Sequence, residues 1–185
     1  KKGHKLLAPK GDRVRPAADK VRQAVFNMLL SQGYPDGARC LDLYCGTGSW
    51  GLEALSRGAA YGVFVDDHPA SVSSCRENIR HCGYDEAQTK IIRKNILKLG
   101  TIPPEQDAFD LVFMDPPYRK DLIIPTLQKL HDGRWLAKGA LIVVESESEW
   151  AGPHNLSALS VYAVAQTKTY GQTLITLLNY EFPVD

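Results

Sequence analysis

Nowhere in the 185 residues does an uninterrupted apolar run approach the ~20 that a membrane-spanning helix needs, and no signal-type apolar block follows the basic start. A membrane span is therefore not expected, and the chain reads as soluble and cytoplasmic. Cysteine is scarce: Cys40, Cys45, Cys75 and Cys82 form no C-x-x-C pair and have no histidine at ligand spacing, which argues against a zinc site. His68, His81, His131 and His154 also lack partners at catalytic or metal spacing, so no metal is expected. With 44% apolar residues the chain can bury a core without disulfide staples, and reduced thiols are expected. Internal repeats, low-complexity blocks and interdomain linkers are missing as well, so residues 1–185 are expected to form one domain and a monomer. The initiator methionine is absent before Lys1-Lys2, so residues upstream are expected to be missing.

What is present is unevenly placed. The net charge is only +1, yet residues 1–22 carry eight basic side chains (Lys1, Lys2, Lys5, Lys10, Arg13, Arg15, Lys20, Arg22) against Asp12 and Asp19. The remainder is mildly acidic. A basic arm, 1–16, on an acidic body suggests a polyanionic partner met by one end of the molecule, with a solvated leader as the plainer alternative.

Beyond the arm, Val21, Ala24, Val25, Met28 and Leu29 recur as one face of a helix over Ala17 to Ser31, ended by Gly33 and Pro35. Strands are expected at Arg39 to Tyr44, Tyr61 to Val65, Lys90 to Arg93, Phe109 to Met114 and Ala140 to Val144. Helices are expected after the glycine turn to about Ser56, from Pro69 to Cys82, and from Leu122 to Leu130. The alternation implies an α/β, doubly wound, mostly parallel sheet with right-handed crossovers. Leu159 to Ala165 and Thr173 to Tyr180 have no helix between them and should pair as an antiparallel C-terminal hairpin on the sheet edge, turning near Tyr170 and Gly171.

Two motifs carry chemistry. Gly46-x-Gly48-x-x-Gly51 follows the first strand, and Asp66 lies 20 residues after Gly46 at the end of the second, where a carboxylate can grip ribose hydroxyls. Asp42 at the mouth of the loop would repel a pyrophosphate but suits a ligand with a cationic amino acid portion, such as S-adenosylmethionine. Asn95 could accept from an adenine amine and Ile96 pack on the ring. Cys45 in the same loop reads as a small packing residue. The second motif is Asp115-Pro116-Pro117-Tyr118 after the fourth strand. Pro117 fixes its own φ and restricts Pro116, so a carboxylate, a directed carbonyl and an aromatic face stand together. Such acceptors can orient the hydrogens of a planar amine; a strand ending in an idle proline turn is the plainer reading.

Three stretches at matching spacing then resemble one family: Arg15-Pro16-Ala17-Ala18-Asp19-Lys20-Val21-Arg22-Gln23-Ala24-Val25-Phe26-Asn27; Leu41-Asp42-Leu43-Tyr44-Cys45-Gly46-Thr47-Gly48 through Gly51-Leu52-Glu53-Ala54-Leu55-Ser56-Arg57-Gly58-Ala59; and Asp115-Pro116-Pro117-Tyr118. With Leu136, Val143-Val144-Glu145-Ser146 and Lys168-Thr169-Tyr170-Gly171, they make the chain similar to the RsmD-like methyltransferases, which methylate a guanine N2 in 16S ribosomal RNA. The resemblance implies a Rossmann-like class I methyltransferase fold and S-adenosylmethionine as donor. It implies Asp115, Pro116 and Tyr118 as the target-amine site, with Asp42, Tyr44, Gly46, Gly48, Asp66, Asn95 and Ile96 at the cofactor. Lys5, Arg13, Arg15, Lys20 and Arg22 would contact RNA, either 16S ribosomal RNA or a small-subunit particle. The chain departs from the family at Ala17 and Ala18, usually threonines, at Trp50, usually small, and at Asp66, commonly Glu. Rivals are methylation of adenine N6 in DNA or RNA or of a protein glutamine, a noncatalytic RNA-binding module with a vestigial cleft, and a nicotinamide oxidoreductase.

Overall fold

A computed structural model describes residues 16–118, 121–150, 156 and 159–181. Lys5, Arg13 and Arg15, and with them most of the basic arm, lie outside the described residues. Helix α1 (Pro16–Ser31) precedes β1 (Arg39–Leu43), α2 (Ser49–Ser56), β2 (Tyr61–Asp66), α3 (Pro69–His81) and β3 (Thr89–Arg93). A short 3-10 turn (Ile96–Lys98), β4 (Phe109–Met114), α4 (Ile123–Asp132), β5 (Leu136–Glu147), β6 (Tyr162–Tyr170) and β7 (Thr173–Tyr180) follow. The seven strands form one sheet in the order β3-β2-β1-β4-β5-β7-β6. Strands β1 to β5 are mutually parallel, and β7 enters antiparallel to both β5 and β6. This is the expected doubly wound sheet of the class I methyltransferase fold.

Alternation along the strands divides the core in two. Cys40, Phe64, Leu111, Phe113, Leu141 and Val143 face α1, α2 and α3, where they pack with Val25, Phe26, Trp50, Leu55, Cys75 and Ile79. Leu41, Leu43, Val63, Val65, Val112 and Met114 face the other way, against Leu127 and Leu130 of α4, Ile96 and Trp135. The strand order reverses between β1 and β4, so loops from the two halves of the sheet diverge there and leave a crevice at the strands' carboxyl ends.

Two boundaries differ from the sequence reading. Strand β5 begins at Leu136 rather than Ala140 because it bends: Gly139 has φ +76°, and its pairing with β4 shifts register between Phe109 and Leu111. The hairpin's first strand is Tyr162–Tyr170 rather than Leu159 to Ala165. Leu159 and Tyr162 are buried, and Tyr162 donates its hydroxyl to the Leu127 carbonyl at 2.7 Å, so the apolar start of that run anchors the hairpin before the strand. The edge of the sheet is β6, while β7 lies inside it between β5 and β6. The hairpin turns at Gly171, φ +61°, as expected.

Candidate active site

Three acidic groups near the crevice share one parity. Asp42 in β1, Asp66 at the end of β2 and Glu145 in β5 stand in step with Phe64, Phe113 and Val143, so they emerge on the face covered by α1 and α2. Leu43, Met114 and Val144 are in register across β1, β4 and β5. The residues that follow Met114 and Val144, Asp115 just past β4 and Glu145 within β5, are therefore neighbours across the two strands.

The glycine loop divides its work. At Gly48 (φ +81°) a Cβ would lie 2.8 Å from Cys75 Sγ, and at Gly51 it would lie 2.5 Å from the Phe64 ring. Those two glycines let the loop and α2 settle onto β2 and α3. At Gly46 (φ +53°) a Cβ would meet nothing within 4 Å, so that backbone faces open space where a ligand can approach. The loop is tied down by Asn78 Nδ2, which donates to the Thr47 carbonyl at 3.0 Å, and by the Gly46 amide, which donates to Asp66 Oδ2 at 3.0 Å. Asp66 Oδ1 accepts from the His68 amide at 2.9 Å. Asp66 thus stands at the loop beside Gly46, and ionised carboxylate oxygens keep spare lone pairs for further donors. Cys45 is buried; a hydrogen bond with Cys75, then burial, push its thiol pKa upward, so it stays a neutral packing group.

Asp42 is placed differently from expectation. It does not sit at the loop's mouth but lies 1% exposed beneath α2, where Oδ2 accepts from the Gly51 amide at 2.9 Å. Its other oxygen is buried with no partner. Burial pushes its pKa from 3.8 up to about 8 against the pull of the Gly51 amide, with Asp66 adding to the rise. That burial weakens repulsion by Asp42 as an argument against a pyrophosphate at the loop. Tyr44 (φ +57°) points to the opposite face, its hydroxyl 2.7 Å from the Thr126 hydroxyl of α4. Asn95 is exposed, and its side-chain oxygen accepts from the Leu97 amide at 2.9 Å, capping the 3-10 turn. The Ile96 side chain, 4% exposed, joins the core under α4 rather than standing open for a ring.

The Asp-Pro-Pro-Tyr segment continues directly from β4. Burial, then the charges of Glu145 and Asp42, hold Asp115 well above the usual carboxylate range. Glu145 is also raised by burial, while a hydrogen bond from Trp50 and the charge of Arg22 pull it back. Pro116 is buried, and Tyr118 is 48% exposed with its hydroxyl hydrogen-bonded to Thr173 at the start of β7. A pocket of about 280 Å³ opens beside them, lined by Pro116, Pro117, Tyr118, Glu145, Ser146 and Trp150 among others.

Sequence reasoning missed part of this surround. Glu145 enters the sequence reading only through the family resemblance and Trp150 carries no motif there, yet both line the pocket. Trp50, the departure whose fit was in question, is 7% exposed, stacked on Phe113 (centroids 5.3 Å, 19° between planes), and bonded to Glu145. Arg22, expected to contact RNA, lies in α1. It pairs with Asp19 at 2.7 Å, its side chain is 17% exposed, and its charge acts on Asp42 and Glu145. Lys20 is exposed near the start of α1. Among the described residues no group of three or more His, Cys, Asp or Glu is placed to hold a metal ion, and no helix is long and apolar enough to cross a membrane.

Comparison with known proteins bears on this site. The family described as Conserved hypothetical protein 95 matches residues 1–179. Ribosomal RNA small subunit methyltransferase D of Escherichia coli (strain K12) is 35% identical over 180 residues, 97% of this chain and 86% of that protein. A solved structure, a putative methyltransferase yhhF from Escherichia coli, superposes with TM-score 0.78 at 32% identity, covering 97% of this chain and 93% of that one. The T. thermophilus 16S rRNA N2 methyltransferase RsmC, solved in complex with AdoMet and guanosine, shares the fold at TM-score 0.71 and 20% identity, covering 93% of this chain and 44% of its own.

Proposed function

Because the chain belongs to the Conserved hypothetical protein 95 family of RsmD-like methyltransferases, we propose that it transfers a methyl group from S-adenosylmethionine to the exocyclic N2 amine of a guanine in 16S ribosomal RNA. The observation that carries this reading is the Asp115-Pro116-Pro117-Tyr118 segment beside the β1–β4 reversal, whose Pro116, Pro117 and Tyr118 line a pocket of about 280 Å³. That volume is on the scale of one heterocycle and its surroundings.

The residues present fit the donor. Gly46 offers open backbone, Asp66 stands beside it at the end of β2, and Asp42 keeps one buried oxygen without a partner under the loop. Gly46, Gly48 and Asp66 would hold it, with Asn95 through its amide and Ile96 through its backbone. Asp42 and Tyr44 act from behind, as supports of the loop and of the β1 end. When bound, S-adenosylmethionine supplies an electrophilic methyl group on a sulfonium.

The protein's part is placement. A guanine amine is conjugated with its ring and is a poor nucleophile. The Asp115 carboxylate and the Pro116 carbonyl accept its two hydrogens and keep its nitrogen turned toward the donor. As the nitrogen gains positive charge in the transition state, the same acceptors strengthen their hold, and the ionised Asp115 carboxylate takes up the proton that the amine loses to leave a neutral methylated product. Tyr118, fixed through Thr173, gives the base a face to stack on. The base leaves its stack to enter the pocket, while Lys5, Arg13, Arg15 and Lys20 hold the phosphates of the strand. Methyl transfer by Asp115→Ala, with donor binding followed by calorimetry, tests the assignment: transfer should collapse while donor binding persists, and undiminished turnover would remove the site.

A further inference from the structure

Four acidic side chains line the pocket, Asp121, Glu145, Glu147 and Glu149, none of which the methyl-transfer reading uses, and Glu145 is the one beside Asp115. Glu145 lies in β5 beside Asp115, one residue past the Met114 and Val144 register, and lines the cavity together with the proline turn. It is not a loose surface acid. The indole of Trp50 donates to it, and Trp50 is itself clamped by Phe113 at 5.3 Å and Phe26 at 6.0 Å. Arg22, on the turn of α1 above them, supplies positive charge from the same side. One carboxylate oxygen is thus anchored from within the core, and the group as a whole borders the cavity. A carboxylate so fixed accepts and does not donate when ionised.

Resting on the guanine reading above, we propose that Glu145 is the residue that selects guanine, accepting the ring N1–H beside the amine held by Asp115 and Pro116, with Trp50 as the positioning residue that aims it. Guanine presents N1–H and N2–H as adjacent donors on one edge, and Asp115 and Glu145 offer acceptors on neighbouring strands. Adenine presents a lone pair at N1, which would face the carboxylate in repulsion, so the device rejects adenine as well as favouring guanine. Burial makes Asp115 and Glu145 ionise late, the charge of Glu145 adds to the rise at Asp115, and donors on a guanine edge favour the charged forms of both.

The test is equilibrium binding of guanosine and of 2-aminopurine riboside, which keeps the 2-amino group but carries a lone pair at N1. Titrations by NMR in slightly alkaline buffer compare wild type, E145A and W50F, with methylation of RNA by the same proteins measured in parallel. Wild type should prefer guanosine by about 10- to 100-fold, the span of a hydrogen bond to a charged group. That preference should fall to within about twofold in E145A. It should fall partway in W50F, which keeps the aromatic stack and loses the indole donor. A preference of the same size in wild type and E145A overturns the proposal, as does no preference in wild type. If E145A does not fold, an unchanged preference in W50F overturns it. Guanosine preference that depends on Glu145 without any N2 methylation would overturn the methyl-transfer reading and leave this one standing.

Discussion

Asp115, Glu145 and Asp42 are carboxyl groups whose folded-state pKa lies above the ordinary value, and the sign of that shift has two consequences. For stability, the native state holds protons that the unfolded chain has released. Stability therefore falls as pH rises through the window between the ordinary and the raised pKa, from 3.8 to about 8 for Asp42. Asp42→Asn should flatten that fall, read from denaturant melts at several pH values. For catalysis, Asp115 must be ionised to accept from the amine, so methyl transfer should rise with pH along a limb displaced above the ordinary carboxylate range. Glu145→Gln removes the neighbouring charge and should move that limb to lower pH; an unmoved limb would mean that the two groups do not share the site. Asp115→Asn keeps the shape and replaces an acceptor by a donor aimed at the amine. The expected loss in turnover is about 10²-fold or more, judged by the removal of one transition-state hydrogen bond elsewhere.

At the scale of elements, the seat of the site is a matter of close approach. Gly51→Ala would drive a methyl group toward the Phe64 ring, at 2.5 Å, and should destabilise the fold by about 1–3 kcal/mol in thermal or denaturant unfolding. Gly46→Ala meets no neighbour, so its stability loss should come only from φ +53° and stay near ~1 kcal/mol, while donor affinity drops. Most elements were legible because their burial is one-sided: Val21, Ala24, Val25, Met28 and Leu29 announce α1, and the continuous apolar strands announce a sheet covered on both faces. Strand β6 was misplaced because it is an edge strand, exposed from Val164 to Thr169, whose polar residues carry no burial signal. The loop glycines and Asp66 were readable from spacing. Sinking Asp42 under α2 and turning Tyr44 toward Thr126 depend on strand parity and helix packing that spacing alone does not carry. Glu145 was harder still, since its partners Trp50 and Arg22 arrive from distant parts of the chain.

For the whole molecule, the charge asymmetry sets how substrate is held. An arm whose Lys5, Arg13, Arg15 and Lys20 meet four phosphates of a single strand predicts a slope of about −3 for log affinity against log salt. Replacing Lys5, Arg13 and Arg15 together by Ala should reduce that slope and weaken RNA binding without changing donor affinity, as filter binding and calorimetry would report. Arg22, in the same basic stretch, pairs with Asp19, and its charge also acts on Asp42 and Glu145. Everything converges on the identity of one product. The protein incubated with labelled S-adenosylmethionine and with unmodified small-subunit particles, naked 16S RNA or DNA, followed by nucleoside analysis, should yield N2-methylguanosine in the ribosomal RNA; label in N6-methyladenine, or in DNA, would contradict the account.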